Sequence, residues 1–362
     1  MSLLNLTYKP FEALSALYGG FLAPAMKIIV NDNLLSLVLS AANIVNPGVF
    51  STDGISITLN KDTASSASFN LVGDYNLTTR SFTDKLSTGS KICILLGYGS
   101  VLKPVFVGYV DTVSYEFSGT PRITVQAFDA IKLMTASGVS ERTWGDGKFY
   151  VDTIKTIMDD YSDICPLPII NIMPSLKKHG QLDQKSNSYD FVKNYLCKYC
   201  DRDLIVSNGY AYLTNPYQQF GRLTTLGFGS GLTSFSVHAG YKKIKAMVTG
   251  DKLSRAYAET TVMVGTSYKS SMNHPQEIKV SAPLKTSSDC MVYAKRLAKD
   301  AVREVQVAQG TCIGIPDIVP GVGIGVLGVD NRWNLKTYYV DTVTHSFSSS
   351  GYTTSFTTKG WN

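Results

Sequence analysis

Apolar and polar residues alternate with a period of two over most of this chain and switch to a helical period in four segments. Ile55, Ile57 and Leu59 alternate with Ser56 and Thr58, and Ala67, Phe69 and Leu71 with Ser68 and Asn70, the pattern of half-buried strands. Further strands are expected over 91–96, 105–117 and 122–128, and a hairpin over 27–30 and 34–39 around Asn31, Asp32 and Asn33. Residues 8–20 read as a short helix, with Pro10 in its first turn, Phe11, Leu14 and Tyr18 on one side and Gly19-Gly20 as its stop. That stripe suits an arm for a neighbouring subunit or a lid on the chain's own barrel.

Val151, Ile154, Ile157, Met158 and Tyr161 share one helical face, and Pro166 and Pro168 end that helix. A second helix is expected from Ser188 as N-cap, with Phe191, Val192, Tyr195, Leu196 and Tyr199 on one side. A hairpin follows, turning at Asn208-Gly209 between 204–206 and 210–213. The Gly- and Ser-rich stretch 227–231 reads as a boundary, after which strands return, interrupted by a helix over 288–304 with Val292, Leu297, Ala301 and Val302 inward.

The most informative feature is a repeat. Tyr109-Val110-Asp111-Thr112-Val113 recurs letter for letter as Tyr339-Val340-Asp341-Thr342-Val343, and Phe117 and Ser118 match Phe347 and Ser348 at the same offset. Upstream, Ile92-Cys93-Ile94-Leu95-Leu96-Gly97 corresponds to the segment from Val322 to Gly328. Each copy reads strand, loop, strand, turn, strand, which requires one packing solution used twice. The expected fold is therefore a β-rich α+β chain with two related antiparallel β-barrel domains and an α/β module between them. Its divisions are an N-terminal arm (1–25), a first barrel (26–137), a helix-containing module (138–235) and a second barrel with an inserted helix (236–362). The strands 103–117 and 336–347 are the expected barrel walls, with Tyr109, Val110, Asp111, Thr112, Val113 and Phe117 in one copy and Tyr339, Val340, Asp341, Thr342, Val343 and Phe347 in the other.

Composition adds limits. The chain has 362 residues, long enough for two or three domains, and its 17% of charged residues is low, a hint that much surface faces other protein. The net charge of +6 is scattered, without the basic stripe of a nucleic-acid binder, so no sequence-specific nucleic-acid binding is expected. Six cysteines in irregular spacing do not form a disulfide framework. The apolar stretch 11–25 is broken by Glu12 and lacks a basic lead, so it does not read as a signal peptide, and no run is long enough to span a bilayer.

Candidate chemistry is thin. Cys197 and Cys200 form a CxxC with His179 upstream, but a second ligand pair at zinc spacing is missing, so no metal site is assigned. His179, His238, His274 and His345 lie in unlike contexts, none in a nucleophile motif. Asp159, Asp160 and Asp163 could suggest the paired carboxylates of a glycosidase, but fall away from the apolar face of their helix. Gly321, Gly323 and Gly325 do not open a helix and so do not read as a phosphate loop. The expectation is a non-catalytic protein with no cofactor.

The order of sheet domain, helix-containing insertion and second sheet domain resembles the baseplate hub proteins of contractile phage tails, including the late control protein group and the hub part of VgrG. The likeness rests on the segment around Lys103 to Asp129, on the stretch SYDFVKNYLCKYCDRDLIVSNGYAYLTNP from Ser188 to Pro216, and on YYVDTVTHSFSSSGYTTSFTTKG from Tyr338 to Gly360. It covers roughly residues 26–362. The resemblance implies a homotrimer whose six similar domains adapt a six-fold tail tube to a three-fold spike, in the baseplate of a virion assembled in the bacterial cytoplasm. Implied partners are the chain itself, a tail tube protein, a separate spike protein (since the chain stops just after its final strand) and other baseplate or tape-measure proteins, with no membrane anchor. Duplication gives a cyclic trimer six near-equivalent surfaces, which resolves such a symmetry mismatch. Rival expectations are a tail-associated cell-wall glycan hydrolase using acidic residues of the middle module, and a carbohydrate-binding β-sandwich protein.

Overall fold

The computed structural model describes residues 7–30, 54–72, 75–82, 86–136, 138, 141–164, 170–171, 177–216, 220–265 and 274–361. It is the β-rich architecture of two related barrel units with an α/β module between them. The first unit contains β1 (Pro24–Val30), β2 (Gly54–Asn60), β3 (Ser66–Val72), β4 (Lys91–Tyr98), β5 (Val101–Glu116) and β6 (Arg122–Phe128). The expected partner of 27–30 at 34–39, like Cys165, Pro166 and Pro168, lies outside the described residues. β1 pairs instead with β4, antiparallel from Pro24 opposite Tyr98 to Val30 opposite Ile92.

The middle module holds α2 (Ala130–Ala136), α3 (Tyr150–Asp159), α4 (residues 188–197) and the hairpin of β7 (Asp203–Ser207) and β8 (Tyr210–Thr214). Asn208 and Gly209 both have positive φ (54° and 78°), the requirement of a type I′ turn, so Asn-Gly fixes the β7–β8 register. α4 is capped by Asn187, not Ser188. The Asn187 Oδ1 accepts the Asp190 N–H at 2.8 Å and its Nδ2 donates to the Asp190 carboxylate at 2.8 Å. From Phe191 to Cys197 the helix is π-wound, and the wider turn carries Lys193 inward while Tyr195 stays 44% exposed.

The second unit contains β9 (Arg222–Phe228), β10 (Gly231–Ala239), β14 (Gln306–Ile313), β15 (Gly323–Leu327), β16 (Thr337–Ser348) and β17 (Gly351–Trp361). Between β10 and β14 are inserted β11 (Lys242–Thr249), β12 (Tyr257–Val264), β13 (Gln276–Ser281) and α5 (Ser287–Arg303). The stretch 227–231 turns β9 into β10 inside this barrel, with the Ser230 N–H donating to the Gly227 carbonyl at 2.9 Å. α5 buries Cys290, Tyr293, Ala294, Ala298 and Val302, a stripe that includes Val302 and leaves Val292, Leu297 and Ala301 half-buried.

All twelve barrel strands form one sheet in the order β1-β4-β5-β6-β3-β2-β16-β15-β9-β10-β14-β17, and a β16–β17 ladder closes its last six strands into a barrel. Five strands correspond in order between the units: β4-β5-β6-β3-β2 in one and β15-β16-β17-β14-β10 in the other. The flanking strand differs, since β1 runs antiparallel to β4 whereas β9 runs parallel to β15. β9 also touches β10 at Gly227 opposite Gly231, which completes the second barrel, and no such bond joins β1 to β2 among the described residues.

Two large cores divide the molecule, beside a small cluster of Ile29, Cys93 and Val107. One runs through both barrel units and takes in Leu14, Tyr18 and Phe21, so the N-terminal helix α1 (Phe11–Leu17) and the turn after it lie on this chain's own barrel. The other joins the middle module to β11–β13 and α5. Among the described residues no helix is long and apolar enough to cross a membrane.

Candidate assembly interface

The repeated segment carries the same backbone irregularity twice. In β5, Val110 opposes Ala127 and Thr112 opposes Gln126, so Asp111 is an extra residue; in β16, Val340 opposes Thr358 and Thr342 opposes Thr357, so Asp341 is. These are matched β-bulges, which bend the strand and re-aim its second half. The turn that leads into each unit's fourth strand is matched too. Gly89 (φ +88°) donates to the Val110 carbonyl at 2.7 Å and Val110 donates to Ser90 at 2.8 Å; Gly321 (φ +92°) donates to Val340 at 2.8 Å and Val340 donates to Val322 at 2.9 Å. Ser90 therefore corresponds to Val322. The sequence match of Ile92 to Val322 is two residues out of step, a slip that keeps every side chain on its face and so is invisible to a period of two.

The second halves of the two repeated strands then meet different neighbours. β2 of the first unit pairs antiparallel with β16 of the second, from Gly54 opposite Ser348 to Asn60 opposite Thr342. This junction makes one continuous sheet of β5-β6-β3-β2-β16-β17-β14-β10. The middle of its outer face is hydroxyl and amide, with the Glu116–Arg122 ion pair at one margin. One row of directly opposed residues runs Thr112, Gln126, Ser68, Ser56, Ser346, Thr353, and the next runs Thr58, Thr344, Ser355, Thr311, Ser234. Neighbours bond across strands, as in Thr58–Thr344 at 3.2 Å, Thr342 to Asn60 at 3.1 Å and Thr124 to Asn70 at 2.9 Å. Neither row carries a charge. The reverse face is apolar and buried, running Ala127, Ala67, Ile57, His345.

The repeat residues thus lie in equivalent strands but unequal surroundings. Tyr339, Val340, Asp341 and Val343 are buried, Thr342 and Phe347 half-buried. Tyr109 and Val110 are buried, Asp111 and Val113 half-buried, Thr112 exposed, and Phe117 is 68% exposed. His345 is in the core. Its Nε2 faces the Ile318 carbonyl at 3.0 Å and its Nδ1 the Tyr352 hydroxyl at 2.9 Å, an arrangement of the neutral ring, and burial pulls its pKa down to about 4.

The junction is riveted by charges that the sequence reading did not single out. Asp203 receives Lys193 at 2.7 Å and Lys61 at 2.6 Å, with Arg296 at 3.5 Å. Lys193 also reaches Asp62 at 2.9 Å, and Lys359 holds the bulge residue Asp341 at 2.8 Å. Burial alone would push the Asp203 carboxyl up, but Lys193, Lys61 and Arg296 hold it far below the ordinary carboxylate range. This cluster joins the first unit, the middle module, α5 and the second barrel around a cavity of about 320 Å³ lined by Lys61, Asp62, Lys193, Arg296, Asp341 and Lys359.

The residues considered for chemistry do not converge. Cys197 and Cys200 are buried free thiols, and burial raises Cys200 to about 12. His179 bonds Thr153 at 2.7 Å and Gly180 at 2.6 Å. Asp159, Asp160 and Asp163 are exposed, with Asp160 paired to Arg142 at 2.7 Å. Gly323 and Gly325 lie within strand β15, and Gly321 in the turn before it. No group of three or more His, Cys, Asp or Glu placed to hold a metal ion occurs among the described residues.

No protein-family model and no curated protein matches the sequence. Solved structures do match the fold. The 43 kDa tail protein of prophage MuSo2 from Shewanella oneidensis superimposes with a TM-score of 0.66 at 11% identity, over 93% of this chain and 98% of that one. A tail protein from Neisseria meningitidis gives 0.66 at 11% identity, over 93% and 96%. An Escherichia coli component of the type VI secretion system, itself described as structurally similar to tail proteins of bacteriophage T4, gives 0.56 at 12% identity, over 93% and 77%. At these identities the likeness establishes the architecture: the chain has the fold of phage tail proteins and of a type VI secretion component.

Proposed function

We propose that this chain is the baseplate hub subunit of a phage tail or related contractile injection machine. Three copies form a ring of six similar barrel units, bound on one side by a tail tube protein and on the other by a separate three-fold spike protein, with further baseplate or tape-measure proteins around it. The role is structural rather than catalytic, and the subunit resides in the virion's tail. The observation that carries this reading is the β2–β16 junction, which sets two units of like topology side by side as neighbouring segments of one wall. Its hydroxyl and amide face is the inner wall of the ring. Its two central rows of Ser, Thr and Gln are wetted yet carry no fixed charge to trap a passing polymer, whether polyanion or polypeptide, while the Glu116–Arg122 ion pair of the same face lies at its margin.

Light scattering on the purified full chain, combined with class averages of negatively stained particles, tests the ring. The expected mass is about three times the 39.4 kDa of one chain, in rings of six-lobed outline with three-fold symmetry. A single-chain mass at tens of micromolar, or rings of another order, overturns the proposal.

A further inference from the structure

The eight-stranded sheet has two outer strands, and they are the counterparts of the two that already pair inside the chain. β10 corresponds to β2 and β5 to β16. Beyond Leu232, β10 has β14 on one side and no second strand on the other among the described residues; beyond its bulge, β5 has β6 on one side and likewise none on the other. Such strand edges are templates for pairing with another chain. We propose that β10 of one copy adds antiparallel to the second half of β5 of the next, repeating the internal β2–β16 ladder between chains. The inference rests on the ring reading above and names the surface that closes it.

The ladders fix the register. Phe235, Ser236 and Val237 oppose Gly310, Gln309 and Ala308 in β14, as Ile55, Ser56 and Ile57 oppose Phe69, Ser68 and Ala67 in β3. The bulges align β3 with β14, because Ala67 leads through Ala127 to Val110, and Ala308 through Thr358 to Val340. Ser236 is therefore the counterpart of Ser56 and Glu116 that of Ser346. Since Ser56 opposes Ser346 within the chain, Ser236 opposes Glu116 of the next copy. Each neighbouring position then meets its own kind: Phe235 faces Phe117 and Val237 faces Tyr115 on the apolar side, while His238 faces Ser114 on the polar side. Phe117 and Tyr115 are 68% and 46% exposed in the single chain. Chains joined this way associate head to tail, which closes into a ring when the rotation permits.

The test is a pair of cysteines at one opposed position, Ser236→Cys with Glu116→Cys, in the full chain with Cys165→Ser. The other native thiols are buried. Opposed strand residues lie within disulfide reach. Mild oxidation is expected to give covalent dimers and trimers that a reductant dissolves, whereas each single cysteine variant gives neither. A particle of three-chain mass with no cross-link, or cross-linking by a single variant, overturns this pairing and leaves the ring reading standing. A single-chain mass overturns both. As an independent readout, Ser236→Arg alone sets a cation against Glu116 and is expected to keep the three-chain mass, while Ser236→Arg with Glu116→Arg sets like charges together and is expected to reduce it to one chain with an unchanged circular dichroism spectrum. Retention of the three-chain mass by the double variant counts against the pairing.

Discussion

Asp129 and His345 are buried groups whose protonation opposes each other over the same pH range. Burial pushes the Asp129 carboxyl up to about 7, and its Oδ2 has no hydrogen-bond partner among the described residues. The native chain therefore binds a proton there below about pH 7, while the unfolded chain waits until about 3.8, so this group makes folding more favourable as pH falls. His345 has the opposite sign, because the unfolded chain takes its proton near 6.5 and the native ring near 4. Its contribution of about 3 kcal/mol is complete above pH 6.5 and is lost as pH falls toward 4. Asp129→Asn should thus make the urea midpoint fall more steeply from pH 7 to 4.5 than in the parent chain, and His345→Gln should flatten it. Parallel slopes in all three would rule out this account. Lys193 offers a second residue-scale prediction. Removing one partner of a buried ion cluster strands the others, so Lys193→Met should cost about 3 kcal/mol of unfolding free energy, and adding Asp203→Asn should recover part of that loss.

At the scale of elements, the two matched turns place one glycine conformation in two environments. A side chain at Gly89 would meet nothing within 4 Å, whereas one at Gly321 would lie 2.6 Å from the Ile205 Cδ1 and 2.8 Å from the Phe220 ring. Gly89→Ala should therefore cost only the positive-φ penalty of about 1 kcal/mol, and Gly321→Ala about 3 kcal/mol once overpacking is added, as chemical denaturation would measure. This contrast also shows what the sequence could reveal. Alternation located strands of the first unit, Asn208-Gly209 located a hairpin, and the shared YVDTV letters marked one strand in each unit, which prove to share a bulge. The bulge itself was hidden, because an extra residue leaves no trace in a short apolar run. The cap at Asn187 and the π-wound turn of α4 were hidden too, since a helical wheel assumes 3.6 residues per turn and so put Tyr195 inside and missed Lys193. The Asp203 cluster gathers residues far apart in sequence, and no spacing rule could join Lys61 to Asp203 and Arg296. The polar face was legible only as the unremarked half of the alternation, Ser56 and Thr58 between Ile55, Ile57 and Leu59.

For the whole molecule, the strongest consequence is that one strand geometry exists in two states of protection. β16 beyond its bulge has β2 on one side and β17 on the other, so its amides are bonded whichever way they point. Among the described residues β5 beyond its bulge has β6 on one side and no strand on the other, so the amides that point to the far side are those another strand would cover. Hydrogen exchange should read this directly. In the charge-repelled Ser236→Arg, Glu116→Arg chain, alternate amides over 112–116 and 234–239 should exchange rapidly while those over 342–348 remain slow. In the parent ring, all three stretches should be slow together. Equal protection of 112–116 in both proteins would mean that something other than β10 of a neighbour covers that edge, and the six units would then have to be held together elsewhere.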